Sequence, residues 1–146
     1  MRIDLPNPDR FKQIFDKTLD KPLLEKVVGI STDSRDIKEG DLYIAITGEK
    51  VDGHSFLTDV FDKGASTALV SIPVAESRGK QIKIDDPINA IGKVARAWRD
   101  QFQIPVIGIT GSNGKTSTKE LLKYIYQLNM IFMLQKEIII HQLVFR

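Results

Sequence analysis

Residues 105–118 read PVIGITGSNGKTST, and this stretch decides the architecture. Val106, Ile107 and Ile109 are β-branched and apolar, which predicts a buried parallel strand over 105–110. Gly111-Ser112-Asn113-Gly114 predicts a tight loop, and a helix is predicted from Lys115 to about residue 126. A strand, a glycine loop and a helix in that order can hold a phosphate. Glycines let backbone N–H groups turn inward without Cβ clashes, and the helix presents the positive end of its dipole. Lys115 supplies a mobile cation for the outer phosphates and Thr116 a hydroxyl for Mg²⁺. The candidate phosphate-binding residues are therefore Gly111, Ser112, Asn113, Gly114, Lys115, Thr116 and Ser117, with Thr116 the candidate Mg²⁺ ligand. The general pattern G-x-x-x-x-G-K-[ST] is not met, because Ile109 stands where its first glycine would be, so GSNGKT is a variant.

Upstream, Phe11, Ile14 and Phe15 predict a short helix, and apolar runs predict strands over 27–31, 42–47, 67–72 and 81–84. Phe56, Leu57, Val60 and Phe61 share one face of a helix predicted over 55–63, closed by Gly64. Asp86-Pro87 opens a helix running to about residue 102, with Ile88, Ile91, Val94, Ala95 and Trp98 as its apolar face. Strands and helices in alternation predict an α/β fold. The expected organisation is a domain over 1–84, a connecting helix over 85–103 and the opening of a second domain over 104–128.

Composition agrees with a globular protein. The 146 residues are 42% hydrophobic and 27% charged, with a net charge of +2. Disorder and collagen-like repeats are excluded. So weak a charge argues against nucleic acid or a membrane surface as partner. With no cysteine there is no disulfide or thiolate metal site. The N-terminal MRIDLPNPDR has no apolar signal core and no segment reaches the length of a membrane span, so the expected compartment is the cytoplasm.

TGSNGKTSTKE resembles the ATP loop of the Mur ligases, the amide-forming enzymes of peptidoglycan synthesis. STDSRDIKEGDLYIAITGEKVDGHSFLTDVFDKGASTALV resembles their N-terminal domain, which binds the UDP end of the substrate. DGHSF and Lys119-Glu120 are most similar to the member that joins D-alanyl-D-alanine to UDP-N-acetylmuramoyl-tripeptide. The member adding the preceding amino acid is the nearest competitor. The resemblance implies ATP and Mg²⁺ as cofactors, an acyl phosphate on the substrate's terminal carboxylate, and attack by the amine of D-alanyl-D-alanine. It also implies a UDP-substrate site at Ser31, Thr32, Ser34, Arg35, Asp52, Gly53 and His54, whose donors suit uracil, ribose or diphosphate. Set against this, Asp33 and Arg35 also read as a structural ion pair in a capped turn, and His54 as a loop residue. Trp98, Gly40-Asp41 and Gly64-Ala65 read as packing and turn positions, and Lys119 and Glu120 as a solvated helix face. Two other readings are a non-catalytic module binding UDP-muramoyl peptide and a ligase of the folyl-polyglutamate type; the upstream motif argues against the latter.

Complete Mur ligases are much longer, and the second acidic Mg²⁺ site and adenine pocket of the family have no counterpart here. Catalysis is accordingly not expected from these residues alone. Residues 129–146, NMIFMLQKEIIIHQLVFR, depart from the family's glycine–asparagine continuation. Written with A/T-rich codons, a two-base shift turns them into YDIYATKGNYNTSIGVS, which resembles that continuation. The expectation is a frameshifted tail from about residue 129.

Overall fold

The computed structural model describes residues 2–49, 51–77, 79–103 and 107–127, so the tail from residue 129 lies outside the described residues. The chain divides into two compact units, Met1–Phe102 and Gln103–Arg146.

The first unit is one sheet covered on both faces. Its elements are β1 (Arg2–Asp4), α1 (Pro8–Leu19), β2 (Gly29–Ser31), β3 (Asp41–Ile44), a 3₁₀ turn Gly53–Phe56, α2 (Leu57–Asp62), β4 (Thr67–Val70), β5 (Lys80–Lys83) and α3 (Pro87–Arg99). The strands lie side by side in chain order. β1 is antiparallel to β2, while β2 to β5 run parallel, with Ser31 opposite Tyr43, Tyr43 opposite Ala68 and Val70 opposite Lys83.

The long helices start where their caps dictate. The Asn7 side chain accepts from the Arg10 N–H at 3.0 Å, and that of Asp86 from the Asn89 N–H at 2.9 Å. Each cap is worth about 1 kcal/mol, and proline follows each one, where its missing N–H costs nothing. α1 and α3 cover the same sheet face: Phe11, Ile14, Phe15, Leu42, Leu69, Ala90 and Val94 form one core cluster. Tyr43, Ala45, Leu57, Val60, Ala68 and Val70 form a second cluster on the other face. Period-two alternation along β3 and β4 assigns Leu42 and Leu69 to one layer and Tyr43, Ala68 and Val70 to the other.

Several expectations differ from what is observed. The helix read as a connector over 85–103 is a core element of the first unit, because Ala90 and Val94 are buried against α1. Ala90 takes the place expected for Ala95, which is exposed. The helix predicted over 55–63 starts earlier, as a 3₁₀ turn, because the Asp52 side chain caps the His54 N–H at 3.0 Å. β1 has no counterpart among the predicted strands. Arg2 anchors it through a bidentate pair with fully buried Asp41, Nε to Oδ2 at 2.6 Å and Nη2 to Oδ1 at 2.8 Å. Gly29 leaves room for that pair, since a Cβ there would sit 2.5 Å from both Arg2 Nη2 and Asp41 Oδ1.

In the second unit, α4 (Lys115–Gln127) follows the glycine loop as expected. Residues 107–110 are not in a strand, and residues 105 and 106 lie outside the described residues. A strand exists only through pairing, and among the described residues no ladder reaches 107–110.

Candidate functional site

The carboxyl ends of β2, β3 and β4 leave the sheet at one edge, the edge where open α/β sheets take ligands. Three segments form this rim: residues 31–36, the described residues of 45–56, and 71–77.

The first segment is locked by its own side chains. Ser31, buried at the end of β2, accepts from the Asp33 N–H and donates to the Asp33 carbonyl, both at 3.0 Å. Asp33 accepts from the Arg35 N–H at 3.0 Å and holds its guanidinium through Nε at 2.9 Å and Nη2 at 2.7 Å. The Arg35 side chain is 84% exposed, so its remaining donors face solvent. Hydrogen bonding from Arg35 holds the Asp33 carboxyl well below the usual carboxylate range, and Asp33 in turn raises Arg35. The structural pair and an exposed guanidinium thus coexist. Thr32 is exposed, and Ser34 is half-buried with its carbonyl accepting from Lys63 Nζ at 2.7 Å.

The second segment folds around Asp52 and His54. Gly53 is buried, and a Cβ on it would approach the Ile46 backbone nitrogen to 2.7 Å. Its carbonyl accepts from the Tyr43 hydroxyl at 3.1 Å. Burial, then the charges of Asp33 and Asp52, pushes the Tyr43 hydroxyl up to about 12. That both carboxylates act on one hydroxyl reflects how near the first two segments lie. Asp52 Oδ1 accepts from the His54 N–H at 3.0 Å and lies 2.6 Å from His54 Nδ1. The backbone bond first and the imidazole second lower the Asp52 carboxyl. On the far side of the ring, Nε2 accepts from the Ser71 N–H at 3.1 Å and the Ile72 N–H at 3.4 Å, with Ser71 Oγ also at 3.1 Å. His54 is 6% exposed and both ring nitrogens are engaged.

The third segment escaped sequence reasoning. Ser71 and Ile72 meet His54, and the buried Ser77 hydroxyl has no hydrogen-bond partner among the described residues. The one available signal was their place just beyond β4. A hollow of about 430 Å³ lies at the opposite edge, lined by Glu25, Lys26, Glu39, Gly40, Ser66 and Lys80. Lys80 is paired with Glu25 there, and Lys26 with Asp9 at 3.0 Å, so few groups remain to recognise a ligand.

The phosphate-loop candidates belong to the second unit. Gly111 (φ 145°) and Gly114 (φ 76°) both take the left-handed half of backbone space, so the loop needs glycine at these two positions. The Thr118 N–H makes the first helical bond, to the Gly114 carbonyl at 2.9 Å. The N–H groups of Lys115, Thr116 and Ser117 therefore have no partner in the helix. Lys115 Nζ donates to the Gly111 carbonyl, folding its ammonium over the loop. Residues 110–118 are exposed. This donor set fits an anionic phosphate, and the Thr116 hydroxyl in the first helical turn suits a hard cation. Lys119 pairs with Glu120 at 3.3 Å, as a solvated face should.

Among the described residues no helix is long and apolar enough to cross a membrane, and no group of acidic or histidine residues could hold a metal ion alone.

Residues 26–99 match the family model described as "Mur ligase family, catalytic domain". The chain is 42% identical over 100 residues to the UDP-N-acetylmuramoyl-tripeptide–D-alanyl-D-alanine ligase of Synechocystis sp., covering 66% of this chain and 22% of the relative. It is 38% identical over 105 residues to the UDP-N-acetylmuramoyl-L-alanyl-D-glutamate–2,6-diaminopimelate ligase of Aquifex aeolicus, covering 70% and 22%. The chain thus spans under a quarter of the length of either relative. Among solved structures it is similar to UDP-N-acetylmuramoylalanyl-D-glutamyl-2,6-diaminopimelate–D-alanyl-D-alanyl ligase from Acinetobacter baumannii, with TM-score 0.69 and 32% identity over 81% of this chain and 28% of that one. It is also similar to the MurF ligase from Thermotoga maritima in complex with ADP, with TM-score 0.61 and 29% identity over 68% and 23%.

Proposed function

The chain belongs to the Mur ligase family, and from that premise we propose that its two units serve an ATP-dependent amide-bond ligase of peptidoglycan precursor synthesis in the cytoplasm. The first unit holds the UDP end of a UDP-N-acetylmuramoyl peptide, and residues 104–128 begin the ATP-binding domain. The observation that carries this reading is the pairing, in one chain, of an exposed donor rim at the sheet's carboxyl edge with a glycine loop at the start of α4.

In this reading Thr32, Ser34 and Arg35 offer the diphosphate and ribose their donors, while Ser31, Asp52, Gly53 and His54 hold the rim in shape. Arg35 can keep Asp33 and still present its outer N–H groups to a phosphate, since the bidentate pair uses only Nε and one edge of Nη2. The amides at Gly111, Ser112, Asn113 and Gly114, and those opening α4 as far as Ser117, cradle the ATP phosphates. Lys115 leaves the Gly111 carbonyl to neutralise charge on the transferring phosphoryl group. Thr116 would help hold Mg²⁺, which would supply charge neutralisation to the phosphates. The carboxylate at the end of the peptide takes the phosphoryl group, and the amine of D-alanyl-D-alanine then displaces phosphate to form the amide.

Calorimetric titration tests this. Binding of both UDP-N-acetylmuramoyl-tripeptide and Mg-ATP supports the ligase reading, and binding of neither refutes it. Binding of the tripeptide alone supports a non-catalytic muramoyl-peptide module. The relative from Aquifex aeolicus favours one further arm. Preference for UDP-N-acetylmuramoyl-L-alanyl-D-glutamate over the tripeptide would assign the chain to the ligase that adds the third amino acid.

A further inference from the structure

The geometry points to His54 as a positioning residue: a neutral imidazole that latches the second rim segment to the third and thereby sets the shape of the UDP site. This rests on the reading of the rim as that site. Among the described residues, the hydrogen bonds that join segment 45–56 to the start of segment 71–77 all end on the His54 ring. Two backbone N–H groups point at Nε2, so that atom presents its lone pair and carries no proton. The ring proton then sits on Nδ1, where it meets Asp52 Oδ1 at 2.6 Å. Asp52 therefore selects the tautomer, and the tautomer supplies the acceptor that Ser71 and Ile72 need. Tyr43 fixes the same turn from below through the Gly53 carbonyl.

A direct role in binding substrate is excluded by supply. With 6% of the residue exposed, the ring has no free polar atom to give a ligand. Its effect on a ligand passes through the loops. An apolar side chain at this position would leave the Ser71 N–H without its acceptor inside the fold, and the chain there would turn toward water to satisfy it. Closing the rim on a ligand would then have to re-order residues 71–77 first.

The test combines nitrogen NMR of the imidazole with titration of uridine diphosphate. In the wild-type chain Nδ1 should give a pyrrole-type signal and Nε2 a pyridine-type signal, with slow amide exchange at Ser71. His54→Leu should speed exchange at Ser71 and weaken uridine diphosphate about tenfold. His54→Gln, whose carbonyl can reach the Nε2 position, should recover slow exchange and most of the affinity. A protonated Nε2 in the wild type overturns the latch whether or not the variants fold. So does equal weakening by Leu and Gln, which would mean the ring itself touches the ligand. A wild-type chain that does not bind uridine diphosphate overturns the site reading and the ligand half of this inference, while the tautomer and exchange data still decide the latch.

Discussion

Replacing Tyr43 by phenylalanine should produce two opposite effects that cross at high pH. The Tyr43 hydroxyl is buried and donates to the Gly53 carbonyl at 3.1 Å. Removing it costs about 1–1.5 kcal/mol at neutral pH, the usual net contribution of such a bond. The same hydroxyl ionises at about 12 in the folded chain against 10.0 for an unperturbed tyrosine. A group whose folded value is raised stabilises the fold fully below the unfolded value and loses that contribution as pH climbs through the folded value. Every tenfold change in the ionisation constant corresponds to about 1.4 kcal/mol. The wild type should therefore lose roughly 1.4 kcal/mol by pH 11 and about 2.7 kcal/mol beyond pH 12 through this group alone, a loss the variant escapes. Its neutral-pH advantage should vanish near pH 11. Urea unfolding followed by the fluorescence of Trp98, the single tryptophan, reports on this unit. Other titrating groups occur in both proteins and cancel in the difference. A gap between the two proteins that stays constant from pH 9 to pH 11.5 would refute the reasoning.

Asp41→Ala takes the buried partner from the Arg2 guanidinium, which Asp41 first and Asp4 second hold well above its usual value, and leaves it only exposed Asp4; it also removes the acceptor of the Lys38 N–H at 2.9 Å. Chemical denaturation should show a loss of about 3–5 kcal/mol, the cost of breaking a buried pair from one side. Gly53→Ala drives a methyl to 2.7 Å from the Ile46 nitrogen and should cost about 1–3 kcal/mol, read as a lowered melting temperature. Asp52 is lowered in the fold, so its contribution is present above the unfolded carboxylate value and fades as pH falls through the folded one. Asp52→Asn should therefore flatten the acid limb of the stability profile below the ordinary carboxylate range, as read by urea unfolding at a series of acid pH values. Lys115→Ala should weaken Mg-ATP binding at least about tenfold, or roughly 1.4 kcal/mol, in the same calorimeter cell that detects it for the wild type.

Local chemistry made much of the fold legible. Asp86-Pro87 announces a helix start by itself, Phe11, Ile14 and Phe15 announce another helix by their spacing, and the apolar runs around Leu42 and Leu69 announce strands. Elements that depend on distant partners were not legible. Arg2-Ile3-Asp4 is polar and becomes a strand only because Asp41 and Gly29 receive Arg2. Residues 107–110 have strand-like side chains, yet β structure needs a neighbour that side chains cannot supply. At the site, residue types near the phosphate loop and the Asp33–Arg35 turn could be read from spacing. That His54 would engage both nitrogens inside the fold could not, because nothing near it in sequence foretells Ser71 and Ile72.

The clasp between Arg2 and Asp41 also orders events during synthesis. On a ribosome Arg2 precedes its partner by 39 residues. Until Asp41 emerges, the guanidinium has only the exposed carboxylate of Asp4, in its own strand, to pair with, and β2 has not met β3. The edge strand is thus made before the residue that seats it, and its clasp closes only once the first residue of β3 has emerged.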